Sequence, residues 1–207
     1  MTIYALKPKF QALLRPLVRG LHSAGVTANQ VTLAACAISV ALGIWLFVVA
    51  AKGDGATGVF VLVPLWMFLR MAFNAIDGML AREFGQQSKL GAYLNELTDV
   101  IADAALILPF AAVAPFTGAA AVWVAAFALL AALSEFAGAL GPTIGGTRRY
   151  DGPMGKSDRA FVLGALALWI AFAATLPTWA VWIFPTLCVM TAWTIVRRVR
   201  HGLRDAA

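Results

Sequence analysis

The sequence predicts an all-α integral membrane protein with six transmembrane helices, an N-terminal amphipathic interfacial helix and both termini in the cytoplasm. The 207 residues are 61% hydrophobic and only 13% charged, whereas soluble chains carry roughly 25% charged residues. The apolar residues gather in six long blocks, each close to the ~20 residues that a helical span needs. The basic residues cluster at block ends, which explains a pI of 9.8 without a nucleic-acid partner.

The elements follow in order along the chain. Residues 1–24 form a juxtamembrane segment, in which 2–23 mix apolar and basic side chains and predict an interfacial helix kinked at Pro16. A membrane domain covers 25–198, with Thr27 or Asn29 as the cap of its first span, and 199–207 form a basic cytoplasmic tail. The six spans are predicted at 27–51, 57–81, 90–115, 119–142, 158–176 and 178–196.

The distribution of basic residues predicts the orientation. Of the 16 Lys and Arg, 14 lie on the two termini and the even-numbered connections, Lys52 lies on the opposite side, and Arg70 lies within a span. The positive-inside rule therefore places both termini and the even-numbered connections in the cytoplasm. Cys36 and Cys188 both lie in apolar blocks, so no disulfide framework is indicated.

Polar side chains inside the predicted spans indicate a functional site, because an acid in hydrocarbon costs at least ~2.5–3.5 kcal/mol. The helical spacing puts them on one face of each helix, and the shallower ones should lie within ~15 Å of the cytoplasmic helix ends. We therefore predict a polar cavity open to the cytoplasm, above a deeper network that neutralises itself. The shallow residues are Asn74, Asp77, Asn95 and Asp99, and the deeper ones are Arg70, Asp103 and Glu135.

Oxygen ligands at this spacing favour a hard cation, Mg²⁺ or Mn²⁺, which commonly bridges carboxylates and phosphates. A nucleotide diphosphate would account for the metal, the acids and Arg82 together. Gly78, Ala81 and Gly91 leave room for such a ligand to approach the backbone. The alternative is that these small residues only permit close helix packing.

The fourth connection, G-G-T-R-R-Y-D-G-P-M-G-K-S-D-R at 145–159, offers two interpretations. Its basic residues either set topology and attract anionic lipid, or bind an acceptor that carries a phosphate. Lys156 and Arg159 share a helix face at the start of the fifth span, whereas Arg148 and Arg149 are more easily read as loop charges. Arg70 is either an acceptor ligand or, as we favour, the partner of Glu135 or Asp103.

Residues 74–99 read N-A-I-D-G-M-L-A-R-E-F-G-Q-Q-S-K-L-G-A-Y-L-N-E-L-T-D. This segment resembles the CDP-alcohol phosphatidyltransferase signature, D-x-x-D-G-x-x-A-R-(x)8-G-x-x-x-D-x-x-x-D, and every spacing matches. The stretch G-V-T-A-N-Q-V-T-L at 25–33 also resembles the family's P-N-x-x-T start, with Ala28 in the proline position. The opening M-T-I-Y-A-L-K-P and the N-A-I-D-G and L-N-E-L-T-D segments are similar to the YnbA-type bacterial inner-membrane branch.

The resemblance implies an activity and a set of residue roles. Family members transfer the substituted phosphate of a CDP-alcohol, usually CDP-diacylglycerol, to an acceptor hydroxyl and release CMP. They use a divalent metal, act in phospholipid synthesis, and commonly pair as homodimers in the membrane. Carried onto this chain, the fourth aspartate is Asp99, a metal ligand and the general base, and the second is the metal ligand Asp77. The nucleotide site would comprise Asn29, Thr32, Gly78, Ala81, Arg82 and Gly91.

Two residues depart from the signature, because Asn74 and Asn95 replace its first and third aspartates. An amide oxygen ligates a metal without contributing charge, so a formal site charge of −4 becomes −2. We therefore predict that one metal binds tightly and that substrate recruits any second ion. The alternative is a non-catalytic protein that binds CDP-lipid. A small transporter is disfavoured because the chain lacks inverted-repeat symmetry.

Overall fold

The computed structural model describes residues 6–53, 57–173 and 175–206. These residues form seven α-helices joined by short connections, several with a 3-10 turn, and no strand occurs among them. The helices are α1 (Leu6–Ser23), α2 (Ala28–Lys52), α3 (Leu62–Glu83), α4 (Lys89–Ile107), α5 (Ala121–Ala139), α6 (Lys156–Phe172) and α7 (Ile183–Asp205).

The six predicted apolar blocks correspond one to one with α2–α7. Four stretches are long and apolar enough to cross a membrane, namely Ala28–Lys52, Thr57–Glu83, Gly118–Ile144 and Thr178–Asp205. Helix α4 falls short because it carries three carboxylates, and α6 has only 17 residues. The all-helical membrane class is thus confirmed with four spans, while the six-span arrangement and its orientation stay predictions.

Two predicted boundaries are wrong. The third block was expected to run to residue 115, but α4 ends at Ile107 and a 3-10 turn, Leu108–Ala112, follows. Pro109 enters this turn and cannot donate a backbone hydrogen bond, so the α-helix does not continue through it. The tail predicted at 199–207 is not a separate element, because α7 continues without a break to Asp205.

Helix α1 packs against α3 along one face. Val18 is fully buried in a small core with Ile76 and Leu80, and the Arg15 guanidinium contacts the Glu83 carboxylate at 3.0 Å. Pro16 lies inside α1. Residues 1–5 of the predicted interfacial segment, and the side chains of Lys7 and Lys9, lie outside the described residues. The interfacial placement of α1 stays a prediction.

The start of α2 resolves the choice between the two predicted caps. Thr27 Oγ1 accepts a hydrogen bond from the Gln30 N–H at 3.2 Å, and Gln30 Oε1 accepts one from the Thr27 N–H at 2.9 Å. This reciprocal pair is a capping box. Since Thr27 caps the helix, the Asn29 side chain is left to face the interior of the site.

Helix α2 lies against both α3 and α4, and α5 lies against α7. At Gly43 a Cβ atom would come within 2.1 Å of the Ala105 carbonyl oxygen, so the backbones of α2 and α4 are in direct contact there. An apolar core containing Phe60, Phe110 and Phe184 fills the space between helices α2–α7. Asp77, Asp99, Asp103 and Glu135 lie outside this apolar core.

Candidate functional site

A cavity of about 1010 Å³ is lined by residues of α1, α2, α3, α4 and the connection between α3 and α4. Every residue predicted for the nucleotide site lines it, as do three of the four predicted metal ligands. The sequence motif therefore folds into one continuous surface. These lining residues are Asn29, Thr32, Asn74, Asp77, Gly78, Ala81, Arg82, Gly91 and Asn95.

Asp77 is held at the wall of this cavity by α2. Its carboxylate is only 7% exposed, and its Oδ2 atom accepts a hydrogen bond from the Thr32 hydroxyl at 2.7 Å. Within the described ranges no basic side chain lies within 4.0 Å of the Asp77 carboxylate. Asp77 therefore presents to the cavity a carboxylate that forms no ion pair in the described part of the chain.

The glycines of the signature differ from the glycine that packs two helices together. A Cβ on Gly78 would lie 2.7 Å from the Arg82 guanidinium, and a Cβ on Gly91 would lie 2.9 Å from Asn29 Oδ1. Both would meet polar side chains that line the cavity, whereas Gly43 meets the backbone of another helix. This contrast favours the ligand-approach interpretation of Gly78 and Gly91 over the packing interpretation.

Several cavity residues were missed by the sequence reasoning. Gln86 Oε1 accepts the N–H of Ala28 at 2.7 Å, which ties the connection between α3 and α4 to the start of α2. Ser88 Oγ accepts the Gly91 N–H at 2.9 Å and caps α4. Phe10 and Gln11 of α1 also line the cavity. The polar run Q-Q-S before α4 could have indicated that this connection lines the cavity. The sequence contains no comparable indication that α1 contacts the site.

Asp99 differs from the other predicted ligands because it does not line the large cavity. Its Oδ1 atom lies 2.9 Å from the Arg70 guanidinium, and its Oδ2 atom lies 2.5 Å from Lys156 Nζ. The expectation that Asp99 shares one open cavity with Asp77 and Asn95 is therefore wrong for this structure. The two basic side chains, one from α3 and one from α6, hold the Asp99 carboxylate on the α6 side.

A second cavity, of about 330 Å³, lies on that side. Arg70, Asp103, Lys156 and Arg159 line it together with Ser157. It shares Met71 and Asn74 with the large cavity. Three of the five predicted acceptor residues, Arg70, Lys156 and Arg159, thus meet at one small compartment next to the nucleotide site.

The deep polar side chains form a network of ion pairs, in which Arg70 contacts one of the two acids that the sequence offers as its partner. Arg70 contacts Asp103 at 2.6 Å, as favoured, but not Glu135. Glu135 instead contacts Arg159 at 2.8 Å, and Arg159 also contacts Asp103 at 3.2 Å. Arg159 is only 2% exposed and also donates hydrogen bonds to Ser134 Oγ and the Met154 carbonyl. Its guanidinium therefore links the two carboxylates of this network to α5 and to the fourth connection.

Arg148 and Arg149 line neither cavity. Arg148 contacts Glu96 and lies over the Tyr150 ring, 5.0 Å from its centroid. Arg149 contacts Asp151 at 2.9 Å and Asp205 at 2.5 Å. These contacts agree with the loop-charge interpretation of both arginines.

Arg198 is a further residue that the sequence reasoning missed. The basic run R-R-V-R at the end of the last predicted span serves only to predict orientation, but within it Arg198 is 2% exposed. It donates to the Ser134 carbonyl at 2.5 Å and lies 3.4 Å from Glu135. Arg198 lies on the same helix face as the buried Thr191 and Thr194, and this spacing could have indicated that its side chain is buried.

The predicted metal ligands bring a single carboxylate to the large cavity. Within the described ranges no three His, Cys, Asp or Glu side chains come close enough to hold a metal ion. Of the oxygen donors that line the large cavity, the predicted metal ligands contribute the Asp77 carboxylate and the Asn74 and Asn95 amides. This donor set suits one hard divalent cation.

Comparison with known proteins agrees with the motif. The family model for CDP-alcohol phosphatidyltransferase matches residues 25–193. Inner membrane protein YnbA of Escherichia coli strain K12 is 45% identical over 100% of this chain and 99% of its own length. Phosphatidylinositol phosphate synthase of Mycobacterium marinum is 35% identical over 97 residues, which are 47% of this chain and 38% of that protein.

Solved structures share the fold. Mycobacterium tuberculosis phosphatidylinositol phosphate synthase with CDP-DAG bound has a TM-score of 0.73 and 23% identity, covering 90% of this chain and 92% of that chain. Its structure with manganese and citrate has a TM-score of 0.72 at 23% identity, over 91% and 88% of the two chains. The predicted family and YnbA-type branch are both confirmed by the matches in sequence. This chain belongs to the CDP-alcohol phosphatidyltransferase family.

Proposed function

We propose that this protein is a membrane enzyme of phospholipid synthesis that transfers a phosphatidyl group from CDP-diacylglycerol, or a related CDP-alcohol, to an acceptor hydroxyl and releases CMP. The observation that carries the proposal is the large cavity, which collects nine motif residues from three helices on one surface. The M. tuberculosis relative binds CDP-DAG, and a similar lipid nucleotide suits this cavity.

The nucleotide half of the substrate would occupy the large cavity. Arg82 supplies a cation for the diphosphate, and no carboxylate lies within 4.0 Å of its guanidinium in the described part of the chain. Gly78 and Gly91 let the ligand approach the backbone of α3 and α4 closely. Asn29 and Thr32 add polar contacts from α2.

Asp77, with the Asn74 and Asn95 amides, would hold one Mg²⁺ or Mn²⁺ ion, and Asp99 is the further ligand that the signature implies. When bound, the metal neutralises the diphosphate and favours departure of CMP. The manganese in the structure of the M. tuberculosis relative supports a divalent ion. Asn74 and Asn95 would orient this ion without adding charge, so the protein keeps fewer negative charges near the diphosphate.

Asp99 is proposed as the general base. The acceptor oxygen would bond to the phosphorus that carries the diacylglycerol, while the bond from that phosphorus to the CMP oxygen breaks. The acceptor's proton would pass to the Asp99 carboxylate, which contacts Arg70 and Lys156 in the structure. The second cavity, next to Asp99, is the proposed acceptor site.

The membrane arrangement completes the proposal. The YnbA relative is an inner membrane protein, and four helices here are apolar enough to cross a membrane. We infer six spans in a bacterial inner membrane, with both termini and the site on the cytoplasmic side, because the basic residues gather there. The family resemblance adds the expectation of a homodimer.

The test is CMP release by purified protein in nanodiscs with CDP-diacylglycerol, Mg²⁺ or Mn²⁺, and a panel of alcohols. Asp77→Asn and Asp99→Asn should abolish release, whereas Glu83→Gln, which alters an exposed carboxylate outside both cavities, should change it little. Release that survives in Asp99→Asn would refute its assignment as the base.

A second candidate is a non-catalytic CDP-lipid binding protein or subunit. It is favoured by one observation, that both oxygens of Asp99 are in ion pairs while two signature aspartates are amides. CDP-diacylglycerol would then bind with Asp77-dependent affinity, and CMP release would stay at background with every acceptor. The same assay, combined with a binding measurement, separates the two functions.

A further inference from the structure

The basic residues on the acceptor side of the site are compensated by carboxylates of the chain itself. Six basic side chains around the second cavity and the fourth connection each lie within 4.0 Å of at least one of six carboxylates. This cluster has no net formal charge. The basic members are Arg70, Arg148, Arg149, Lys156, Arg159 and Arg198, and the acidic members are Glu96, Asp99, Asp103, Glu135, Asp151 and Asp205.

Most of these carboxylates lie outside the family signature. Glu96 contacts Arg148, Asp151 and Asp205 contact Arg149, and Glu135 contacts Arg159. A metal bound at Asp99 would withdraw that carboxylate from Lys156 and Arg70 but would leave the other pairs in place. In that state Lys156 would lose the carboxylate that it contacts, whereas Arg70 would keep Asp103 and the other basic side chains would keep their partners.

The second cavity offers a lining that matches uncharged hydroxyl groups. Asp103 supplies acceptors, Lys156 supplies donors, and Ser157 with Asn74 supplies groups that do both. A phosphomonoester carries a charge of roughly −1.5 to −2 at neutral pH. To bind here, it would have to displace a carboxylate from an arginine and leave that carboxylate in a largely buried position without its partner.

We propose that the acceptor is an uncharged alcohol with several hydroxyl groups, and that this chain's own carboxylates exclude phosphorylated acceptors. The inference rests on the proposed function and narrows its substrate class. Glu96 is the key residue because it contacts Arg148 directly, whereas the other carboxylate near Arg148, that of Glu135, lies 3.9 Å away. It acts on specificity through Arg148 and has no part in the transfer itself.

The first arm of the test measures binding of radiolabelled inorganic phosphate to metal-free protein in nanodiscs, with the nucleotide cavity filled by excess CMP. Phosphate binding to the wild-type protein should not saturate over the concentrations tested. Glu96→Gln should bind phosphate saturably, with a dissociation constant at least about tenfold below the highest of those concentrations. The matched control is Glu83→Gln, since both side chains are 35% exposed and paired with an arginine. Glu83→Gln makes the same change in charge but leaves the contact between Glu96 and Arg148 in place. Its phosphate binding should therefore equal that of the wild type.

Asp151→Asn provides a second variant, which removes one of the two carboxylates that contact Arg149 and leaves Asp205 in place. Saturable phosphate binding to the wild-type protein, as tight as to either variant, would overturn the inference. Equal phosphate binding in Glu83→Gln and Glu96→Gln would also overturn it, because the effect would then be general to the added positive charge.

The second arm compares CMP release with matched acceptors, glycerol against glycerol 3-phosphate and inositol against inositol phosphate. The uncharged member of a pair should be used, and Glu96→Gln should shift the preference toward the phosphorylated member. A wild-type preference for the phosphorylated member would overturn the inference. No CMP release with any acceptor would refute the proposed transferase, while phosphate exclusion in the first arm would still support the charge compensation.

Discussion

Removing the Lys156 ammonium should strengthen metal binding. Lys156 Nζ lies 2.5 Å from Asp99 Oδ2, with the two side chains 36% and 23% exposed. Exposed ion pairs contribute up to about 1 kcal/mol and fully buried ones about 3–5 kcal/mol when broken. A partly exposed pair therefore contributes about 1–2 kcal/mol, which corresponds to about a 5- to 30-fold change in a binding constant.

Lys156→Met keeps most of the apolar length of the side chain and removes its charge. Asp99 then keeps only Arg70 as a partner, and the repulsion between the ammonium and a divalent ion disappears. The Mn²⁺ dissociation constant should fall by about 5- to 30-fold. The measurement is a Mn²⁺ titration of the protein in nanodiscs, followed by the electron paramagnetic resonance signal of free Mn²⁺.

Lys52→Met is the matched control, because it removes the same charge at the far end of α2, ~30 Å along the helix from Thr32. It should leave the Mn²⁺ affinity unchanged. An affinity of Lys156→Met equal to or weaker than that of the wild type would refute the reasoning. Lys156 would then not compete with metal for Asp99.

Three further predictions concern the cavity wall, the buried network and the loop. Gly91→Ala should weaken CDP-diacylglycerol binding by at least about tenfold, measured by competition with labelled ligand, because the new Cβ would press on Asn29. Arg159→Met should lower the free energy of unfolding by about 1–3 kcal/mol, seen as a fall in melting temperature in detergent, because Asp103 and Glu135 each lose the contact with Arg159 although Asp103 keeps Arg70 and Glu135 keeps Arg198. Burial alone would raise the pKa of Asp151, but a backbone N–H and the Arg149 guanidinium outweigh it, so the pKa lies below its ordinary value. The stabilisation from this pair is complete at neutral pH and is lost as the pH falls below about 4; the fall in melting temperature between about pH 7 and about pH 3 should therefore be smaller in Asp151→Asn than in the wild type.

Much of the nucleotide site could be predicted from the sequence because it depends on local spacing. Residues three, four and seven apart share one face of a helix wherever that helix lies. Asn74, Asp77 and Gly78 on α3 and Gly91 and Asn95 on α4 thus reach the same cavity. The short connection between the two helices brings these faces together.

The partners of the basic residues could not be predicted in the same way. The contact of Asp99 with Lys156 and that of Arg198 with Glu135 join residues 57 and 63 positions apart on different helices. Helical spacing gives the face of each residue but not the rotation of one helix against another. Likewise, the apolar and basic pattern of α1 fits a membrane surface and does not show that Phe10 lines a cavity.

The two cavities share a wall made of Met71 and Asn74. If the donor lipid fills one cavity and the acceptor fills the other, the bond between them must form at this wall. A substitution at Asn74 would then change the apparent affinities for donor and acceptor together, whereas one at Arg82 or Ser157 would change only one of them. The exchange of an aspartate for an asparagine at this position thus falls where the reacting atoms would meet, and it removes a charge that would repel both the diphosphate and an incoming alkoxide.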